Sequence, residues 1–346
     1  MQDIKNILMI RRSAIGDIVS TLPAYYMLRD NFPNSKISFL VADSYSFVLK
    51  GFPGLDQVLT IDKKILASKS LPKLLKLVVD LHRTIRKNNY QLIVDYSGHA
   101  EHALLLRLSG AKHRWGTIGK GKSLRSLFYT NTFTKQTRGI HKIDQNLKLL
   151  EQGGLKVFPI KNQYIVPQEN LEKAKTLFST WGLSLEKPTL FVQPFTGDGI
   201  AGKIWPLDRY VVLAEHWKSQ GMQVLFGGGP SEREQLNEVA ARFPVAAGQS
   251  DFLTSVGLAK LSSVVVGGDT GLMHAASAVG KRSVMILGPT DYEFICPYKH
   301  PEWAVKPQEG NLIQNISVEE VILATETAFK EFTGQDKIVG NTSQVI

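Results

Sequence analysis

Cysteine is almost absent from this sequence of 346 residues: Cys296 is the only one. A single thiol excludes an intrachain disulfide and a thiolate metal cluster, and such a chain suits a reducing cytoplasm. Long hydrophobic runs are missing too. The apolar stretch near the N-terminus is far too short to span a bilayer, and Asp3 precedes it without the basic residues of a secretory signal, so the mature protein is expected to be the whole chain. Several chemical signatures are also lacking. There is no Gly-x-Ser-x-Gly elbow and no Cys–His nucleophile pattern, and the glycine-rich loop at 193–206 lacks Walker A spacing. No Gly-x-Gly-x-x-Gly follows the first strand, which argues against a nicotinamide dehydrogenase, because its pyrophosphate turn needs those glycines.

Acidic residues are scarce in the first half. The net charge of +10 divides unevenly, with 24 Lys and Arg against 10 Asp and Glu in residues 1–150, and 17 against 21 in residues 151–346. The length suits two domains, each with its own core, the first strongly basic and the second mildly acidic. The excess charge gathers in two places. From Lys63 to Lys87 lysines alternate with leucines at helical spacing, as on a solvated helix face. From Lys112 to Lys148, Gly116, Gly119 and Gly121 interrupt the pattern and read as a mobile loop. Lys120, Lys122 and Arg125 in that loop are candidates for holding an anionic partner, whether a phosphate, a carboxylate or a membrane surface.

The most informative residues lie at 263–276, where the β-branched run Val264-Val-Val266 breaks at Gly267-Gly268 and restarts as a helical pattern after Asp269-Thr270-Gly271. A strand that delivers the chain to a helix N-terminus offers unpaired N–H groups and the positive end of a dipole to an anion. An acid there would repel a phosphate, so Asp269 is expected to face neutral hydroxyls, and the pair of features points to a phosphorylated sugar. The alternative is that Asp269 is an N-cap. A similar layout recurs at Ile7–Pro23, with Gly16 and Asp17 in the turn. Both turns would lie at the carboxyl ends of parallel strands, where open α/β sheets bind ligands, and two of them in two halves imply a cleft between two domains.

Apolar runs alternate with helical patterns throughout. Strands are predicted at Ile7–Ile10, Lys36–Val41, Val58–Ile61 and Leu92–Asp95, then at Thr189–Gln193, Gln223–Phe226, Val264–Val266 and Ser283–Leu287. Helices near 18–31, 44–50, 70–88 and 100–109, at Asp144–Gln152, and near 207–219, 231–243, 252–261 and 271–279 make this an α/β chain of two doubly wound parallel sheets. The first domain is placed at 1–150 and the second at 168–316, joined across Thr137–Pro167. An amphipathic helix at 317–332 is expected to return to the first domain, ahead of a disordered polar tail at 333–346.

The loop Gln193–Pro206 carries Thr196, Gly197 and Lys203, so that backbone N–H groups and one ammonium can approach a diphosphate; the alternative is a flexible surface loop. After the next strand, Glu232 follows Gly227-Gly-Gly229 and can accept from ribose hydroxyls or simply favour the helix dipole. His99 with His102, and Asp291 with Glu293, are the nearest approaches to metal ligand pairs, and each lacks the further ligands a site needs.

Arg12-Ser-Ala-Ile-Gly-Asp17 with Thr21-Leu-Pro23, Lys203-x-Trp-Pro206, and Gly268-Asp-Thr-Gly-x-Met-His274 through Gly288-Pro-Thr290 together resemble the bacterial ADP-heptose:lipopolysaccharide heptosyltransferases of glycosyltransferase family 9. The resemblance runs in order over nearly the whole chain. It implies a GT-B fold of two Rossmann-like domains facing a central cleft, and an inverting, metal-independent transfer from ADP-L-glycero-D-manno-heptose with no cofactor. It further implies an anionic lipopolysaccharide core acceptor at the cytoplasmic face of the inner membrane, and no nucleic acid. By that similarity Asp17 is the general base, Lys203, Thr270 and Gly271 hold the diphosphate, Glu232 the ribose and Asp269 the heptose, and His274 matches the family's histidine. Two motifs depart from many relatives: Asp95-Tyr-Ser97-Gly98 stands in place of Asp-x-Gln-Gly, and His141-Lys-Ile-Asp144-Gln145 in place of His-Ala-Val-Asp/Glu-Arg. Both lie in the basic domain, so the acceptor stays open between Kdo, a first heptose and another glycan. Another nucleotide-sugar transferase, a UDP-sugar epimerase and a non-catalytic glycan-binding relative are the competing readings.

Overall fold

A computed structural model of the chain describes residues 4–68, 70–99, 106–119, 124–135, 139–196 and 202–339. The backbone contacts divide between Gln163 and Tyr164 into two units.

The first unit holds six strands, β1 (Asn6–Ile10), β2 (Lys36–Ala42), β3 (Gln57–Ile61), β4 (Leu92–Asp95), β5 (His113–Ile118) and β6 (Asn131–Thr134), in the order β3-β2-β1-β4-β5-β6. All neighbours are parallel. A parallel sheet covered on both faces needs continuous apolar strands, and Ile7, Leu8, Met9 and Ile10 of β1 are all buried. The order reverses between β1 and β4, which makes the carboxyl ends of those two strands the switch point where such sheets take ligands.

The second unit holds β7 (Thr189–Gln193), β8 (Gln223–Phe226), β9 (Val264–Gly268), β10 (Arg282–Ile286) and β11 (Ala304–Val305), in the parallel order β11-β10-β9-β7-β8. Its switch point lies between β7 and β9, where Gln193 stands opposite Gly267. A side chain at Gly267 would put its Cβ 2.5 Å from the Gln193 carbonyl oxygen. Only glycine lets the two strand ends meet there, which is the physical reason the valine run stops where it does.

The basic segment read as a loop contains regular structure. β5 and β6 both lie within it, and Gly116 is a strand residue whose Cβ would lie 2.3 Å from the Tyr129 ring. The helix expected from Asp144 begins at Lys142, capped by the His141 Nδ1, which accepts from the Ile143 N–H at 3.2 Å. The span expected to be helical at 231–243 is instead two short 3-10 turns and a four-residue helix, Asn237–Ala240. The C-terminal helix runs Val318–Val339. It packs on β9, β10 and the helix Leu207–Ser219, all in the second unit. Trp205 and Trp217 fix it from below: their indole N–H groups donate to the Ile316 carbonyl at 2.9 Å and to Thr325 Oγ1 at 3.0 Å.

Candidate functional site

In the first unit, Asp95 closes β4 and is fully buried. One of its oxygens accepts from the Ser97 and Gly98 N–H groups at 2.8 and 3.3 Å, and the other from the Tyr129 hydroxyl at 2.8 Å. This brace shapes the turn that borders the end of β1. There the Arg12 N–H donates to Ser97 Oγ at 3.0 Å, and the Arg11 guanidinium donates to the Tyr96 carbonyl.

Asp17 sits in the first turn of the helix Ile15–Val19, whose N-cap is Ala14. Among the described residues its carboxylate makes no capping hydrogen bond. It is ion-paired with Arg11, and the Lys142 Nζ lies 3.9 Å from its other oxygen. The Asp17 side chain keeps 35% of its surface, enough to meet a ligand, whereas Arg11 and Lys142 keep 14% and 10%. Burial pushes the Asp17 carboxyl up, and Arg11, Lys142 and the more distant Lys135 outweigh it, leaving the group below the usual aspartate range. Asp17 is therefore ionised throughout the neutral range. Neither Arg11 nor Lys142 was distinguishable as a site residue in the sequence.

The second unit gathers more of the candidates. The helix Gly271–Ala278 starts directly after β9 with Thr270 as its N-cap, and Thr270 Oγ1 accepts from the Met273 N–H at 3.3 Å. The capping role offered as the alternative for Asp269 thus belongs to its neighbour. First-turn amides such as Gly271 and Leu272 have no intrahelical acceptor and point outward at the positive end of the dipole. Asp269 is bonded on both oxygens: the Lys203 ammonium donates to one at 3.3 Å, and His274 Nε2 lies 3.2 Å from the other. His274 is buried and so fixes the carboxylate's orientation.

Thr196 completes this corner. A Cβ at Gly268 would lie 3.6 Å from Thr196 Cγ2 and 3.2 Å from the Lys203 carbonyl, so the loop after β7 folds tightly over the end of β9. Thr196 is 5% exposed, yet its hydroxyl has no hydrogen-bond partner among the described residues. A buried hydroxyl left unpaired costs about 1–3 kcal/mol. Thr196 and Lys203 both border Gly268, so a hydroxyl and an ammonium stand at the corner where the helix N-terminus begins, an arrangement able to receive an oxygen-rich anion. Among the described residues no three His, Cys, Asp or Glu side chains converge as metal ligands.

Glu232 is placed differently. It ends a 3-10 turn after β8, the outer neighbour of β7, and its carboxylate turns back to accept from the Gly229 N–H at 2.7 Å. Burial raises its pKa, and that one hydrogen bond only partly offsets the rise. Asp291 caps the turn that carries Glu293, accepting from its N–H at 3.0 Å, so that acidic pair is local structure. Gly197, Lys120, Lys122 and His102 lie outside the described residues, as does the side chain of Arg125.

Known proteins share the fold. The chain is similar to lipopolysaccharide heptosyltransferase 3 of Escherichia coli K12, with 25% identity over 336 residues that cover 91% of this chain and 96% of that one. Among solved structures, the family 9 glycosyl transferase of Veillonella parvula superposes with a TM-score of 0.80 at 22% identity, covering 94% of this chain and 98% of that one. The ADP-heptose lipopolysaccharide heptosyltransferase II of Escherichia coli does so with 0.75 at 19%, covering 94% and 99%. The two parallel sheets, with the switch points described above, are thus those of a GT-B fold. The sequence model described as glycosyltransferase family 9 (heptosyltransferase) matches residues 78–318, and with it the Asp269–His274 turn, so the chain belongs to that family and is a glycosyltransferase.

Proposed function

We propose that the chain transfers a heptose from ADP-L-glycero-D-manno-heptose to an anionic acceptor sugar of the lipopolysaccharide inner core, with inversion and without a metal ion. The observation that carries the donor half is the corner at β7 and β9: an ammonium, a hydroxyl without a partner among the described residues, and helix amides around one oriented carboxylate. The names of the similar heptosyltransferases supply the sugar and the acceptor class.

The chemistry follows from the charges. As the bond between the anomeric carbon and the diphosphate oxygen breaks, negative charge grows on ADP. Lys203, Thr196 and the amides of Gly271 and Leu272 stabilise it with fixed donors, the role a divalent cation would otherwise fill. Asp269, anchored by Lys203 and His274, accepts from hydroxyls of the sugar. Asp17 takes the acceptor proton as the new C–O bond forms on the face opposite the leaving group, and the configuration inverts. The cations that keep Asp17 charged also make it a weaker base, so the proton moves late, when the acceptor oxygen has already become acidic. The acceptor binds the basic first unit, at the cytoplasmic face of the inner membrane.

The test is to mix the purified protein with ADP-heptose and a heptose-deficient core acceptor in the presence of EDTA. Release of ADP and a product with inverted anomeric configuration are expected. A reaction that stops in EDTA overturns the metal-free reading. Turnover of a UDP-sugar with no action on ADP-heptose overturns the donor assignment.

A further inference from the structure

The helix Leu71–Lys87 carries more apolar surface than the sheet beneath it uses. Leu81 and Ile85 are buried in the first unit's core, with Leu77 packed against them. Leu71, Leu75 and Val78 fall on an adjoining stripe, three and four residues apart, and keep 78%, 66% and 39% of their surface. Single exposed leucines are ordinary on a protein surface; three on successive turns of one helix form a patch that marks an interaction site.

The surroundings say what it meets. Lys73 and Lys76 alternate with the exposed leucines and make no ion pair among the described residues, and Asp80 is the helix's only acid. The whole first half of the chain has an excess of 14 positive charges. No described helix is long and apolar enough to cross a membrane. A short apolar stripe edged by lysines suits the boundary between headgroups and acyl chains, where leucines enter and ammonium groups meet lipid phosphates. A two-fold contact with a second copy would instead press like-charged lysines together.

We propose that this face docks the protein on an anionic phospholipid bilayer, with Leu71, Leu75 and Val78 inserted at the boundary and Lys73 and Lys76 against the phosphates. The docking deepens and rests on the proposed placement at the inner membrane face, and it is read without any sugar substrate, so its failure is separable from that of the transfer. Cosedimentation of the full chain with phosphatidylglycerol/phosphatidylethanolamine vesicles should give binding that weakens with salt, and pure phosphatidylcholine vesicles should bind far less. The double variant L71Q/L75Q should lower partitioning by about ten-fold or more, and K73E/K76E by a similar factor. Melting temperature and transfer to a delipidated, water-soluble acceptor should be unchanged in both. Absence of parent binding, or parent-like binding by L71Q/L75Q, overturns the proposal. So does a change of oligomeric mass in L71Q/L75Q with vesicle binding intact, which would assign the stripe to a second copy.

Discussion

Arg11, the first residue beyond β1, is ion-paired with Asp17 in the helix that follows, and Lys142 stands on the other side of the same carboxylate. The pairing fixes both the charge and the direction of an acid that stays open to a ligand at the first unit's switch point.

Asp17→Asn keeps shape and removes charge. Transfer should fall by about 10² to 10⁴, the usual worth of a positioned base, while ADP affinity, which the proposed donor site assigns to the second unit, stays at the parent value. Kinetics and ADP calorimetry on the same preparation check it; near-parent turnover would send the base elsewhere.

Arg11→Gln tests the electrostatics. Because folding depresses the Asp17 pKa, its stabilising contribution is complete above the ordinary aspartate range of about 4 and is lost as pH falls through the lowered folded value. Removing the guanidinium leaves burial opposed by Lys142 and Lys135 without the strongest cation, so the acid limb of kcat/KM should move upward, and low-pH stability should become less sensitive to Asp17. A pH–rate profile that does not move separates Arg11 from the function of Asp17.

Thr196→Val replaces a hydroxyl that has no hydrogen-bond partner among the described residues. The melting temperature should hold or rise, because an unpaired buried polar atom disappears. ADP affinity should drop about ten-fold, the worth of one hydrogen bond to a charged group. Equal affinity in the variant would remove the hydroxyl from the anion site.

Glu232→Gln separates capping from charge. Folding raises the Glu232 pKa, so what it contributes to stability is present below the ordinary glutamate range and lost as pH rises through the folded value. At neutral pH the amide, which can still accept from Gly229, should therefore match or exceed the parent in melting temperature. If the carboxylate binds ribose, the donor KM rises in the same variant, and 2′-deoxy-ADP narrows the difference.

Much of this fold was written in local pattern. β1, β7 and β9 read directly, since buried parallel strands are unbroken apolar runs ended by glycine or polar turns. β5 and β6 did not. His113, Arg114 and Gly116 look like loop residues until Tyr129, brought in from a later turn, covers the glycine. The site divided similarly. The Asp269–His274 turn and Lys203 were legible because their spacing is local. Arg11 and Arg12 were indistinguishable in sequence, and only the turn after β4, which takes the Arg11 side chain and the Arg12 N–H, sets them apart. Lys142 reaches Asp17 because the helices Leu22–Asn31 and Lys142–Gln152 pack together, a contact no short window contains.

The break between Gln163 and Tyr164 also sets an order of events during synthesis. All six strands of the first sheet precede it, so that unit can close its core while the second is still being made. The second sheet cannot do the same by stages. β10 waits for β11 at Ala304–Val305, and its Trp205 and Trp217 wait for Ile316 and Thr325. At about 5–20 residues per second, the basic half has roughly ten to thirty seconds to fold before its partner is complete. A nascent chain stalled just past residue 163, once clear of the ribosome, should already resist protease, whereas one stalled before Thr325 should protect only its first half.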